Sequence, residues 1–239
     1  MYKVERAIIT AAGQGTRMRP ITLTTPKPLV KVNGVPMIET IIEGLRANGI
    51  NEIYVVVGYL KEQFGYLTEK YPGLSLIENP YYEYTNSISS IYCAREHLEN
   101  SVILDGDQVV LSNDIFGPYF ERSGYNAAWK EDGVPEWLAI VDENDVIKQM
   151  IIEGGEKGWA VAGIVRWTPE DAKKLRRHLE IEFEEKKNYD VYWDNIALWI
   201  YPEEYELAIW RQEKYESIVE IVSVAELAEY DPSYKKYLD

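Results

Sequence analysis

Several kinds of residue are scarce in this chain of 239 residues, and each scarcity argues against a class of protein. The single cysteine, Cys93, cannot form an internal disulfide, so nothing points to an oxidising compartment. No apolar run approaches membrane-spanning length, and the first residues, MYKVERAIITAAG, lack the charged-then-apolar pattern of a signal peptide. We therefore expect a cytoplasmic protein with no membrane partner.

Positive charge is also scarce. The chain has 25 Lys and Arg residues against 40 Asp and Glu residues, which gives a formal net charge of −15. Nonspecific nucleic-acid binding needs a basic face, so we expect no nucleic-acid partner. Any site for a polyphosphate must be built locally, from backbone N–H groups, a few cations and a metal. The two histidines, His97 and His178, lack partner motifs and are predicted to be solvated helix residues.

The first half of the chain alternates apolar strands with amphipathic helices. Arg6–Ala12 is typical of a buried parallel strand, and a helix is predicted from Pro36 to its end at Gly49. Further predicted strands are Ile53–Val57, Leu74–Glu78 and Ser101–Leu104, with helices at Glu62–Lys70 and Asn86–His97. This alternation predicts an α/β fold with a doubly wound, mostly parallel, Rossmann-like sheet.

The second half predicts a smaller mixed α+β part. The predicted strands are Ala127–Lys130, Trp137–Val141, Val146–Ile151, Trp159–Val165 and Tyr205–Arg211; the predicted helices are Glu170–Lys187, Val191–Leu198 and Val224–Glu229. No linker or repeat interrupts the chain. We therefore expect one domain over residues 1–239, with halves at 1–115 and 116–239.

A glycine-rich loop follows the first buried strand. In AAGQGTRMRP (residues 11–20), Gly13 and Gly15 permit backbone conformations that would let successive N–H groups bind an anion, and Arg17 adds a charged donor. Lys27 stands between two prolines, which stiffens its backbone. A bare Gly-x-Gly is by itself more typical of a surface turn. The loop matches neither the dinucleotide fingerprint nor the Walker A motif.

The complete string AAGQGTRMRPITLTTPKPLVKVNGVPMIE resembles the signature of the nucleotidyltransferase superfamily that makes activated sugars and alcohols. The match covers about thirty contiguous residues in the family's order. The resemblance implies that the loop wraps a nucleoside triphosphate and that Arg17 and Lys27 are catalytic. The implied nucleotide contacts in the loop are Ala11, Ala12, Gly13, Gly15 and Thr16.

Two distant aspartates are the candidate metal ligands. Asp107 follows the apolar strand VILDGD at the carboxyl end of a predicted sheet strand, where open α/β folds bind ligands. An isolated Asp-Gly-Asp is as often an ordinary acidic turn, but the resemblance implies Mg²⁺ at Asp107. Asp194 is the second candidate, with Asp190 a weaker alternative that also suits a helix N-cap. Asp105 is assigned to the nucleotide site as a supporting residue.

The rest of the chain resembles the bacterial CTP:phosphocholine cytidylyltransferases of the LicC type over nearly its full length. The matching pieces are GINEIYVVVGYLKEQFGYL, YTNSISSIY, PEWLAIV, DVYWDN and SIVEIVSVAEL. The resemblance implies CTP and phosphocholine as substrates, with Asn86 and Ser90 near the base and ribose. It also implies a choline pocket formed by Trp137, Tyr192 and Glu220 in the acceptor-binding half. A quaternary ammonium offers no N–H, so aromatic faces and a carboxylate suit it.

Alternatives stay open from the sequence. Phosphoethanolamine, 2-aminoethylphosphonate and a sugar-1-phosphate are other possible acceptors. A non-catalytic nucleotide-binding regulator is a more distant reading, and the presence of Lys27 and both aspartates argues against it. The sequence leaves the oligomeric state undetermined.

Overall fold

A computed structural model describes residues 1–134 and 137–238. Its strands are β1 (Tyr2–Lys3), β2 (Arg6–Ala11), β3 (Lys31–Val32), β4 (Val35–Pro36), β5 (Glu52–Val57), β6 (Leu74–Glu78), β7 (Ser101–Asp105), β8 (Gln108–Val110), β9 (Tyr119–Phe120), β10 (Gly124–Lys130), β11 (Leu138–Val141), β12 (Ile147–Ile151), β13 (Gly158–Trp167), β14 (Ala208–Arg211) and β15 (Ile218–Glu220). Its α-helices are α1 (Met37–Ala47), α2 (Tyr66–Lys70), α3 (Ile88–Cys93), α4 (Pro169–Glu180) and α5 (Val224–Tyr230).

One large sheet organises the described residues. Its strands run in the order β12-β11-β13-β7-β2-β5-β6, and β10 lies between β13 and β14. The block β7-β2-β5-β6 is parallel. Strand β13 pairs antiparallel with β7, β10 and β11, which extends the sheet into the second half of the chain. The predicted α/β class and Rossmann-like parallel block are confirmed.

Helices cover both faces of the parallel block. Residues Ile38, Ile41, Ile42 and Leu45 of α1 recur at helical spacing and are fully buried against one face. On the other face, α3 and α4 contribute Ile88, Ile91, Leu175 and Leu179 to a second core cluster. Alternate residues of β2 therefore enter different clusters, with Ile8 in the second and Ile9 in the first. Burial on both faces explains the continuous apolar run of this strand.

The parallel register brings four strand ends to one edge of the sheet. Thr10 of β2 lies opposite Asp105 of β7, and Ala11 lies opposite Val57 of β5, which lies opposite Glu78 of β6. The glycine loop after β2, Asn79 after β6 and Asp107 after β7 therefore start from neighbouring positions. In open α/β folds this is the edge at which ligands bind.

Tertiary contacts shorten several predicted helices. The prediction of helix over Asn86–His97 was too long, because the backbone N–H of Asn86 donates to the Tyr189 carbonyl and α3 begins only at Ile88. The prediction over Val191–Leu198 was also wrong in its bounds. That segment is a turn followed by a π-helix at Ile196–Ile200, because Trp193 N–H donates to Ser87 Oγ and Asp194 bonds across to β10.

The predicted solvation of both histidines is wrong. His178 is buried, stacks on Tyr201 at 3.8 Å between ring centroids, and places Nδ1 2.7 Å from the Tyr205 hydroxyl. His97 is half-buried and stacks on Tyr54 at 3.7 Å. Both rings pack as aromatic surfaces between elements, a role that local sequence does not reveal. No helix of the described chain is long and apolar enough to cross a bilayer.

The C-terminal segment packs against the glycine loop. Strand β15 pairs antiparallel with β8, and the N–H of Ile221 donates to the Asp107 carbonyl at 3.2 Å. Helix α5 then places Leu227 in a buried cluster with Met18, which lies inside the loop. The end of the chain thus supports both the glycine loop and the end of β7 that carries Asp107.

We expect Leu227→Ala to lower the free energy of unfolding by about 2–5 kcal/mol, because it removes a fully buried side chain and leaves a cavity beside Met18. Urea unfolding would measure this change. Leu238→Ala is the control, since Leu238 is 50% exposed and its removal is expected to cost less than about 0.5 kcal/mol. Equal effects in the two variants would contradict the packing described.

Candidate active site

A cleft of about 370 Å³ lies at the carboxyl edge of the parallel strands. It collects most of the residues that the sequence singled out. Those that line it are Ala11, Ala12, Gly13, Gly15, Thr16, Arg17, Lys27, Asn86, Ser90, Asp105, Asp107 and Glu220. The parallel register aligns the ends of β2 and β7, so the glycine loop and Asp107 share one cavity although Ala11 and Asp107 are 96 positions apart.

The glycine loop packs directly against the segment that carries Lys27. Gly15 has φ of 61°, in the left-handed region. A Cβ at this position would lie 2.9 Å from the Lys27 Cβ and 3.0 Å from the Thr22 Cγ2. The Thr22 hydroxyl donates to the Gly15 carbonyl at 2.8 Å and holds the two segments together. Glycine is thus required at residue 15 for both conformation and space.

Lys27 is the buried cation of the cleft. It is 7% exposed, and its Nζ lies 2.5 Å from Asp107 Oδ2. The flanking residues Pro26 and Pro28 restrict its backbone, which forms a short 3₁₀ turn over Lys27–Leu29. Arg17 lines the same cleft but is exposed. The site therefore offers one buried ammonium in its interior and one exposed guanidinium.

Three further carboxylates lie within electrostatic range of Asp105: Asp107 and Glu220, which line the cleft with it, and Asp194, which does not. Burial raises the pKa of Asp105 well above its ordinary value, and the charges of Asp107, Asp194 and Glu220 raise it further. The Thr10 hydroxyl opposes this rise by donating to Asp105 Oδ1 at 2.9 Å. The cluster holds more negative charge than Lys27 and Arg17 can balance, so it favours binding of a further cation.

Asp194 and Glu220 approach the cluster from the second half of the chain. Burial raises the pKa of Asp194 to about 6. The Tyr125 hydroxyl donates a hydrogen bond of 2.6 Å to this carboxylate, which lowers the pKa and so opposes the effect of burial. The pKa of Glu220 is raised to about 7, mainly by partial burial and secondarily by the negative charge of Asp107. Glu220 nevertheless remains exposed to solvent along the cleft, so its interactions are more strongly screened than those of Asp194.

These carboxylates suit a magnesium ion whose remaining ligands would come from a bound nucleotide and water. Among the described residues, no three His, Cys, Asp or Glu side chains are grouped so that they could hold a metal ion by themselves. Mg²⁺ usually takes one or two protein carboxylates and fills its octahedron with phosphate oxygens and water. The carboxylates around Asp105, whose pKa is raised by burial and then by their negative charges, are hard oxygen donors of this kind.

Of the three residues predicted to form a choline pocket, only Glu220 lines the cleft. Trp137 packs against Trp199, with ring centroids 5.4 Å apart and near-perpendicular planes. Tyr192 is 53% exposed, and neither it nor Trp137 lines the cleft described above. Glu220 lies on the nucleotide side, near Asp107, Lys27 and Arg17. Pro135 and Glu136, which precede Trp137 in the motif, lie outside the described residues.

The structure adds site residues that the sequence reasoning missed. Asn79 is buried, and its amide donates to the hydroxyls of Ser89 at 2.9 Å and Ser90 at 3.2 Å. Its position directly after β6, at the carboxyl end of a parallel strand, was a signal that could have found it. Tyr125 lies inside β10 and no local pattern distinguishes it from a core residue.

Comparison with known proteins agrees with this geometry. Residues 7–159 match the family described as the MobA-like NTP transferase domain. The chain is 42% identical over 230 residues to a 2-aminoethylphosphonate cytidylyltransferase of Lancefieldella rimae, which spans 95% of this chain and 92% of that protein. It is 39% identical over 192 residues to a choline-phosphate cytidylyltransferase of Streptococcus pneumoniae, spanning 80% and 82% of the two chains.

A solved structure gives the same result. The CTP:phosphocholine cytidylyltransferase of Streptococcus pneumoniae (LicC) aligns with a TM-score of 0.85 at 36% identity, covering 96% of this chain and 99% of that chain. The resemblance stated from the sequence motifs is therefore confirmed. The chain belongs to the MobA-like NTP transferase family and, within it, to the cytidylyltransferases, so its activity is nucleotidyl transfer.

Proposed function

We propose that this protein transfers CMP from CTP to phosphocholine, releasing pyrophosphate and forming CDP-choline in a Mg²⁺-dependent reaction. The observation that supports it most is the convergence of the glycine loop, the buried Lys27 and the aspartate cluster on one cleft. Identity to choline-phosphate cytidylyltransferases supports the choice of acceptor.

The proposed reaction is a direct in-line displacement. A phosphate oxygen of phosphocholine attacks the α-phosphorus of CTP, and the bond to the bridging oxygen of pyrophosphate breaks. The second pKa of a phosphate monoester is about 6, so at neutral pH the nucleophile is already anionic and needs no general base. Catalysis then consists of positioning and charge stabilisation.

Each element of the cleft has a proposed part. Amides of Gly13 and Gly15 bind the β- and γ-phosphates, and Arg17 covers the departing pyrophosphate. Lys27 stabilises charge at the α-phosphate, where its burial strengthens the interaction. Asp107 and Asp194 would hold Mg²⁺, which supplies charge neutralisation and orients the triphosphate oxygens.

A second acceptor, 2-aminoethylphosphonate, is favoured by a separate observation. The cytidylyltransferase of Lancefieldella rimae that carries this activity in its name aligns over 95% of this chain at 42% identity. Both acceptors join an anionic phosphorus group to an ammonium through a short alkyl chain. They differ at the ammonium, which is quaternary in phosphocholine and bears three N–H donors in the phosphonate. A quaternary group relies on aromatic faces, worth about 0.5–2 kcal/mol each.

The acceptor is tested by pyrophosphate release with CTP and Mg²⁺ over phosphocholine, phosphoethanolamine, 2-aminoethylphosphonate and glucose-1-phosphate. We expect the highest kcat/KM with phosphocholine. Trp137→Ala should raise the KM for phosphocholine by about 3–30-fold through loss of an aromatic face. Trp129→Ala is the control, because Trp129 is exposed and packs on Trp159 instead. A higher kcat/KM with the phosphonate would assign the second acceptor, and pyrophosphate release with none of the four would contradict both.

Loss of the Lys27 ammonium should mainly lower turnover. We expect Lys27→Met to reduce kcat by about 100–1000-fold, as for other single charge-stabilising donors in a dry site, with a smaller rise in the KM for CTP. Steady-state kinetics would measure both. Lys31→Met, which removes an exposed lysine four residues later, should leave kcat unchanged. An unaltered kcat in Lys27→Met would contradict the role proposed for this residue.

The raised pKa of Asp194 predicts a pH-dependent stability. Because folding raises this pKa from its ordinary value of 3.8 to about 6, the folded protein binds the proton more tightly than the unfolded chain. The contribution of Asp194 to stability is therefore present below about pH 4 and lost as pH rises through about 6. Asp194→Asn should abolish this loss, gaining roughly 1–3 kcal/mol relative to wild type between pH 4 and 7.

Urea unfolding at both pH values, without metal or nucleotide, measures this change. The control is Asp190→Asn, because Asp190 is exposed and lies four residues earlier. A difference between Asp194→Asn and wild type that stays the same at both pH values would contradict the prediction.

A further inference from the structure

Tyr125 reaches the carboxylate cluster around Asp105 from inside the core, although it does not line the cleft. Its side chain is 2% exposed, and its hydroxyl donates to Asp194 Oδ1 at 2.6 Å. The ring belongs to the same buried cluster as Trp193 and Ile196, which lie on either side of Asp194 in the chain. Both the tyrosine and the turn that carries Asp194 are therefore fixed by packing.

The strand that carries Tyr125 is built to aim this side chain. Strand β10 is central, pairing with β13 on one side and β14 on the other. The register with β13 shifts between Tyr125 and Ala127. Irregularities of this kind occur next to active sites, where they re-aim a side chain. The intervening residue, Asn126, accepts a hydrogen bond from Arg166, so the side chains of Tyr125 and Asn126 have different partners.

Asp194 depends on this one side-chain donor. Among the described residues, the hydrogen bonds to its carboxylate come from the Tyr125 hydroxyl and its own backbone N–H. The negative charge of Asp105 lies within electrostatic range and would drive an unrestrained carboxylate away from the cluster. Asp194 lies just before the π-helix of Ile196–Ile200, and its carbonyl accepts a hydrogen bond from the Leu198 N–H at 3.1 Å, so the backbone is held while the carboxylate depends on its side-chain partner.

Asp105 is held in the same manner from the other side. The Thr10 hydroxyl of β2 donates to Asp105 Oδ1 at 2.9 Å. Each of these two aspartates thus has one oxygen bound to a hydroxyl from a central strand, which leaves its other oxygen for a ligand. A hydroxyl donor can fix the orientation of a carboxylate without adding charge to the site. Partners of this kind orient metal-binding carboxylates in proteins.

We propose that Tyr125 is a positioning residue, whose hydroxyl holds the Asp194 carboxylate in the orientation that binds the metal of the metal–CTP complex. This inference rests on the proposed function, because it assigns Asp194 to the metal. It adds a residue that no sequence motif marks. Tyr125 itself touches neither substrate nor metal and acts only through Asp194.

The test compares Tyr125→Phe with wild type in binding Mn²⁺, followed by electron paramagnetic resonance in the presence of saturating CTP and without acceptor. We expect the Kd for Mn²⁺ to rise by about 10–100-fold, as for other residues that orient metal ligands. In turnover assays, raising the Mg²⁺ concentration should restore most of the lost kcat. A defect in packing alone would not respond to metal concentration.

Tyr71→Phe is the matched control. The Tyr71 hydroxyl is also buried and donates to a carboxylate, Glu39 Oε2, at 2.8 Å. The control therefore loses a similar hydrogen bond, but outside the cleft, and its Kd for Mn²⁺ should stay within about twofold of wild type. Asp194→Asn provides a second check. Adding Tyr125→Phe to it should cause no further loss of Mn²⁺ binding, because the tyrosine acts through that carboxylate.

The outcomes separate this inference from the proposed function. A Kd for Mn²⁺ in Tyr125→Phe within about twofold of a wild type that binds the ion would overturn the role of Tyr125 alone. Equal weakening in Tyr71→Phe would also overturn it. Failure of wild type to bind Mn²⁺ with CTP would overturn both the inference and the metal dependence. Weakened binding in Tyr125→Phe together with no pyrophosphate release from any acceptor would support Tyr125 and overturn the proposed reaction.

Discussion

The contact between Lys27 Nζ and Asp107 Oδ2 joins the two halves of the nucleotide site. The two residues are 80 positions apart, and the sheet register brings them within 2.5 Å. A lysine that is 7% exposed needs a charged partner, because burying an isolated ammonium is very costly. The glycine loop, the 3₁₀ turn of Lys27 and the end of β7 must therefore keep their relative positions for this pair to form.

This pair is better explained by function than by stability. Buried ion pairs contribute little net stability, since desolvation offsets much of their attraction. Here the pair lies at the base of an open cleft and near three further carboxylates, where burial and then charge repulsion raise the pKa of Asp105. A polyphosphate with its metal supplies the opposite arrangement, with anions for Lys27 and a cation for the aspartates. The cleft thus offers both kinds of charge that the proposed metal-bound triphosphate would need.

The two halves of the chain meet at this cluster in different ways. The first half supplies the loop, Lys27 and Asp107 through parallel strand ends. The second half supplies Asp194 through a turn held by Tyr125, and Glu220 through β15, which pairs with β8 next to Asp107. In a protein with a net charge of −15, the fold places two of its 25 Lys and Arg residues, Arg17 and Lys27, in this cleft, where an anionic substrate would need them.

Local sequence was sufficient for the features that depend on short-range chemistry. The apolar run of β2, the spacing of Ile38, Ile41 and Ile42 in α1, and Gly15 in the loop all report burial or backbone conformation directly. The family signature depended on the same contiguous residues, and seven residues predicted from it line the cleft, including Gly15, Arg17 and Lys27. Short-range patterns could not report pairings between distant segments. The helix bounds near Asn86 and Asp194, the burial of His178 and the bond from Tyr125 to Asp194 all depend on contacts between residues at least 27 positions apart, which only the folded chain brings together.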